Sequence, residues 1–109
     1  MIAAKETSKQ KEVGYFMRWL DELCQGDERF KDQITKVLRE VQLYLTGKLT
    51  VYTIDRDYFH TITFIHEVCK YDKDLKKWCK EFNAENAKAD DYKSLHATLE
   101  AHKQHLDTL

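Results

Sequence analysis

Apolar residues recur along the first quarter of the chain at Val13, Phe16, Met17, Leu20, Leu23 and Cys24. Gaps of three and four residues place all six on one face of a helix. Tyr15 and Trp19, four apart, share a neighbouring flank. Thr7 or Ser8 can cap this helix, and Thr7 with Gln10 fits a capping box. Gly26 supplies the stop, because glycine takes the left-handed conformation cheaply. The predicted helix covers about 8–25. A second stripe, Phe30, Ile34, Val37, Leu38, Val41, Tyr44 and Leu45, lies between Asp27 and Gly47. Asp27 reads as its N-cap with Glu28 in the favourable first turn, giving a helix over about 28–46. So short a link folds the two helices back as an antiparallel hairpin.

Lys48 to Thr53 is the one β-flavoured segment, with Leu49 and Val51 alternating with polar neighbours. Two readings are open: a crossing loop that tucks Leu49, Val51 or Ile54 under the helices, or a strand pairing with a second copy. Beyond it, Tyr58, Phe59, Ile62, Ile65, Val68 and Cys69 form a third stripe, with Phe64 to one side and Thr53 or Asp55 as cap. The next core position, 72, is an aspartate, and the stripe resumes at Leu75, Trp78, Cys79 and Phe82. Aspartate favours caps over helix interiors. The pattern therefore predicts a break near Tyr71, with Asp72 opening a new helix: about 55–71, then 73–86. Asn83 to Asp91 is polar, and Asp90 or Asp91 is the expected cap of a last helix over about 91–107. That helix carries Tyr92, Leu95, Leu99, His102, Leu106 and Leu109 at alternating gaps of three and four, a short heptad seam.

These elements predict an all-α fold, a compact four- to five-helix bundle built on the antiparallel hairpin, as a single helical domain over 1–109. The region 55–82 is expected to pack across the hairpin. The expected core is Phe16, Leu20, Ile34, Val37, Leu38, Val41, Ile62, Ile65, Val68 and Trp78. Absence of proline and the presence of only three glycines agree with a few long elements. A formal net charge of −1, from 18 basic and 19 acidic residues, is no polyanion-binding signature for the whole chain. No apolar run approaches the roughly 20 residues of a membrane span. Residues 1–12 have no apolar core of a secretory signal. The odd cysteine count, three, suggests no disulfide framework. Together these give the expectation of a cytoplasmic protein with reduced thiols and no membrane contact.

Candidate chemistry is sparse. His66 and Cys69 are three apart on one helix face, with His60 earlier, and His96, His102 and His105 recur near the end. None forms the C-x-x-C or H-x-x-x-H elements of zinc sites, and a buried thiol packs as a small hydrophobe. A nucleophile needs an adjacent base held by a third group, which His66 and Cys69 alone do not supply. The paired acids fall mostly at predicted helix starts, where the helix dipole favours them. The expectation is no enzyme, no metal and no cofactor.

Two features remain. Lys73, Lys76, Lys77 and Lys80, extended by Lys70, line the helix face opposite Leu75, Trp78, Cys79 and Phe82. Such a stripe is either a solvated face or a phosphate contact, with Tyr71 or Trp78 able to stack on a base. Asp72, Asp74 and Glu81 reduce the sum over 72–83 to +1. The C-terminal seam wants one partner helix, supplied by helix 1 or 2 of the same chain or by the same helix in a second copy. In a second-copy seam with His102 at a d position, protonation below about pH 6.5 would weaken the contact. Tyr15, Trp19, Tyr44, Tyr52, Tyr58 and Tyr71 add aromatic surface of the kind interfaces use. The functional expectation is a small non-catalytic protein–protein interaction module: an adaptor, an inhibitor, or an immunity- or antitoxin-like regulator. It would bind another protein or itself. Its partner-binding residues would be Tyr71, Lys73, Lys76, Lys77, Lys80, Tyr92, Leu99, His102 and Leu106. The alternative is a nucleic-acid-associated small subunit contacting phosphates through the stripe at 70–80.

Overall fold

Thr7 opens the first helix, α1 (Ser8–Cys24), through the capping box that its spacing to Gln10 predicts. Its hydroxyl accepts from the Gln10 backbone N–H at 3.1 Å, and Gln10 Oε1 accepts from the Thr7 N–H at 2.9 Å. The computed structural model describes residues 7–108. Leu109 and the expectation of a frayed start at Met1–Ala4 lie outside them.

Gly26, at φ +96°, closes α1 in a Schellman arrangement. The Gly26 N–H donates to Leu23 O at 3.0 Å and the Asp27 N–H to Glu22 O at 2.9 Å. Gly47, at φ +76°, repeats this after α2 (Lys31–Leu45), with Gly47 N–H on Tyr44 O and Lys48 N–H on Leu43 O. The start of α2 differs from the expectation. Asp27 does not cap it. Its carboxylate accepts from the Arg29 N–H at 3.0 Å and pairs with the Arg29 guanidinium at 2.7 Å, closing a turn ahead of the helix. Those hydrogen bonds hold the Asp27 carboxyl below the usual carboxylate range. The helix begins only after Phe30, whose ring stacks on Trp19 of α1 at 5.2 Å and thereby sets where the turn ends.

Residues 46–55 form a crossing loop, and no strand occurs among the described residues. Thr50 and Thr53 close a turn on each other, and Ile54 is buried. Asp55 accepts from the Asp57 N–H and so caps a single 3-10 turn, Arg56–Tyr58, that leads into α3 (Phe59–Cys69). The N-terminus of α3 itself is met from α1: Glu12 Oε2 accepts from both the Thr61 N–H and the Thr61 hydroxyl, the latter at 2.7 Å. From α2, Glu40 Oε1 accepts from the Asp55 N–H at 3.0 Å, and Lys36 pairs with the Asp55 carboxylate.

The break at Tyr71 is present, and Asp72 opens α4 (Lys73–Lys80), accepting from the Leu75 N–H at 2.9 Å. This helix stops at Lys80, well short of the predicted 86. The Gln42 side chain of α2 donates to both Lys80 O and Phe82 O at 2.9 Å, tying down the carbonyls that would have continued it. The last helix, α5 (Ala89–Ala101), starts earlier than predicted. Asp91 is not its cap but sits in the first turn and accepts from the Lys88 N–H at 2.8 Å. After His102 the chain tightens into a 3-10 segment, Lys103–Thr108, instead of running helical to 107. That segment packs on α3 and buries Leu106.

The helices form a small bundle. α1 packs on α5, α3 and α2, while α2 also packs on α3 and α4. Nine of the ten expected core residues are buried; Trp78 is half-buried. Its ring sits edge-on to Phe82 and Tyr92 and also borders a cleft open to solvent.

Urea unfolding should rank the ties in this fold. Leu99→Ala removes a side chain with 0 % exposure and is expected to cost about 2–5 kcal/mol. Gln42→Ala removes one exposed and one part-buried hydrogen bond at the end of α4 and should cost about 0.5–1.5 kcal/mol. Asp72→Ala should cost about 0.5–2 kcal/mol. A Gln42→Ala midpoint equal to that of the parent chain would show that the α2–α4 tie contributes nothing.

Candidate functional site

The exposed chemistry of the chain concentrates around α4. The extended backbone of Asp72 turns the chain out of α3, and the eight residues that follow divide sharply between core and solvent. Leu75 and Cys79 are buried, Trp78 is half-buried, and Lys73, Lys76, Lys77 and Lys80 are exposed. Among the described residues none of these four lysines takes part in an ion pair, whereas Lys31, Lys36, Lys70 and Lys103 each hold a carboxylate. Lys70, expected to extend the stripe, is paired with Glu67 at 2.9 Å and is thereby diverted from it.

Tyr71 precedes α4 and is 59 % exposed. One face of its ring lies parallel to His105 at 4.3 Å, and His105 in turn stacks on His102 at 5.4 Å. The predicted binding residues therefore separate into two groups. Tyr71, Lys73, Lys76, Lys77 and Lys80 share one outer surface. Tyr92, Leu99 and Leu106 are in the core and present no docking face, and His102 is half-buried. The physical reason is that the seam already has its partner helix: α5 packs most extensively on α1 of the same chain. The feature that suggested pairing with a second copy is thus covered from within.

On its other flank α4 faces α5 across a cleft of about 390 Å³. Leu75, Trp78 and Leu95 give it apolar surface, Ser94 and Thr98 contribute hydroxyls, and Asp72, Asp74 and Asp91 contribute carboxylates. Periodicity did not disclose this cleft, because it joins residues from two helices whose mutual packing no spacing rule sets. In the linear sequence Asp72, Asp74 and Asp91 read as helix-start residues, and Asp72 and Asp74 also as charges offsetting the lysine stripe.

His66 and Cys69 have different neighbours. The His66 ring stacks on Tyr44 at 4.0 Å, while Cys69 is buried and Cys79 lies beside it. That neighbouring thiol, with burial added, pushes the Cys79 thiol well up from its ordinary range. All three cysteines are free thiols. Among the described residues no group of three or more His, Cys, Asp or Glu side chains is placed to hold a metal ion. No described helix is long and apolar enough to cross a membrane.

No family model matches the chain, and searches of curated proteins and of solved structures find no match.

Burial is the main cause holding the His66 imidazole below its ordinary pKa of 6.5, with the Lys70 and Lys76 charges adding to it and Glu67 opposing. The unfolded chain then binds the proton more readily than the folded one. The stabilisation is complete above about pH 6.5 and is lost as the pH falls toward the folded value. An NMR titration should place the His66 midpoint below 6.5. Stability should fall on acidification from about pH 7.5 to 5.5, and less steeply in His66→Gln. A midpoint at or above the ordinary histidine value would contradict the burial seen here.

Proposed function

We propose that the chain is a non-catalytic protein-binding module, an adaptor, inhibitor or similar regulator, whose outer face of α4 docks on an acidic surface of a partner protein. One observation carries this reading. Four lysines with no ion pair among the described residues stand side by side on the outer face of a helix whose inner face packs on the core, and an exposed tyrosine precedes it. Unpaired cations on a rigid element steer and register an oppositely charged partner. Tyrosine adds contact area at an interface edge that is part apolar and part wet.

Phosphates of a nucleic acid are the competing ligand for the same lysines. Three features weigh against them. The stripe contains no arginine, the residue best suited to phosphate forks. Asp72, Asp74 and Glu81 hold the segment near neutrality, and the whole chain carries −1. One face of Tyr71, one of the two rings able to stack on a base, is already occupied by His105.

Charge reversal tests the proposal. Affinity capture with the wild-type chain and with Lys76→Glu/Lys77→Glu, followed by titration of the purified captured protein, should show a loss of about tenfold or more in affinity. Both lysines are exposed, so the double variant should keep its fold. Unchanged affinity would remove the α4 face from the interface. Nuclease-sensitive capture, with oligonucleotide binding that weakens steeply between about 50 and 200 mM salt, would assign the stripe to phosphates instead.

A further inference from the structure

The cleft between α4 and α5 has a charge opposite to that of the lysine face beside it. Asp72, Asp74 and Asp91 line it, and no lysine or arginine does. Asp27, Asp55 and Glu67 each hold a cation of the same chain, Arg29, Lys36 and Lys70 respectively. Asp72, Asp74 and Asp91 hold no cation among the described residues. Asp72 and Asp91 each commit one oxygen to a backbone N–H and keep the other uncommitted, and Asp74 makes no hydrogen bond among the described residues. Apolar surface from Trp78, Leu75 and Leu95 completes the cleft. An indole beside carboxylates suits a cation on an aliphatic stem: the stem packs on apolar surface while the charged head meets the acids. A neutral or acidic side chain would gain only the apolar part, and an acidic one would be repelled.

We infer that this cleft receives one basic side chain, arginine or lysine, projected by a segment of the partner protein. The inference rests on reading the chain as a protein-binding module and names the second half of the recognition. The partner surface is acidic where it meets Lys73, Lys76, Lys77 and Lys80, and carries one basic anchor where it meets Asp74 and Trp78. Such a two-signed contact also sets orientation, since turning the partner around α4 would bring like charges together.

The test uses the full chain and two capped peptides, acetyl-Gly-Arg-Gly-amide and the same peptide with citrulline, the neutral isostere of arginine. Titration is followed by NMR at the Trp78 indole N–H and at the backbone amides of Leu75, Ser94, Leu95 and Thr98. The arginine peptide should give saturable shifts confined to these groups, and the citrulline peptide should bind about fivefold or more weakly. Asp74→Asn, which breaks no hydrogen bond of the fold, should weaken the arginine peptide about threefold to fivefold. Absence of saturable shifts at the cleft, equal binding of citrulline, or unchanged binding by Asp74→Asn would each overturn the inference. The Lys76→Glu/Lys77→Glu variant separates the two readings. Arginine selectivity retained while partner capture is unaffected by charge reversal leaves the cleft standing and removes the lysine face. Capture that depends on the lysines, with no arginine selectivity, does the reverse.

Discussion

The break between α3 and α4 is the constraint on which the rest of this molecule depends. A continuous helix from 59 to 80 would run about 33 Å and carry Leu75, Trp78 and Cys79 away from the bundle. Asp72 prevents this with one short-range interaction: its carboxylate takes the Leu75 N–H that opens the new helix. The Asp72 N–H meanwhile closes α3 on Val68 O at 3.0 Å. The redirected α4 packs on α2, places Cys79 beside Cys69, and sets Trp78 edge-on to Tyr92 of α5. Both the lysine face and the acidic cleft exist because the chain turns at this point.

The helical hairpin then acts as the frame to which the later elements are tied. Glu12 of α1 satisfies the first turn of α3, Glu40 and Lys36 of α2 hold Asp55, and Gln42 of α2 ends α4. Apart from the Lys36–Asp55 ion pair, each tie meets backbone groups at or beside a helix terminus, which lack partners within the helix. They therefore do more than add attraction between helices. They decide where α4 stops and how α3 is entered, which is why the observed helices are shorter than their apolar patterns suggested. Apolar burial supplies most of the stabilisation, and these polar contacts select one arrangement of the buried faces.

That division of labour leaves α4 short and heavily exposed. With eight residues and two of them buried, it presents a cationic side and an anionic side within one small surface. The rest of the aromatic load is differently employed. Trp19 stacks on Phe30 and meets Tyr58 edge-on, and Tyr44 stacks on His66, so these rings complete the core boundary. Tyr15, on α1, and Tyr52, in the crossing loop, remain exposed.

What the linear order of residues determined was local. Thr7 with Gln10, Gly26, Gly47 and Asp72 act within about four residues of themselves, so their effects could be read from spacing alone. The apolar stripes likewise declared which face of each helix would be buried. They did not declare against what. The seam of Tyr92, Leu95 and Leu99 looks the same whether it meets a second copy or α1, and only the folded chain chose α1, while Leu106 went to α3. Asp27 resembled a cap until Trp19 fixed Phe30, and nothing near Glu12 or Gln42 in the chain points to Thr61, Lys80 or Phe82. The acidic cleft belongs to the same class, since it is made where two helices meet. Periodicity encodes the direction of a side chain around its own axis, whereas the relative placement of axes is settled by packing all the faces at once.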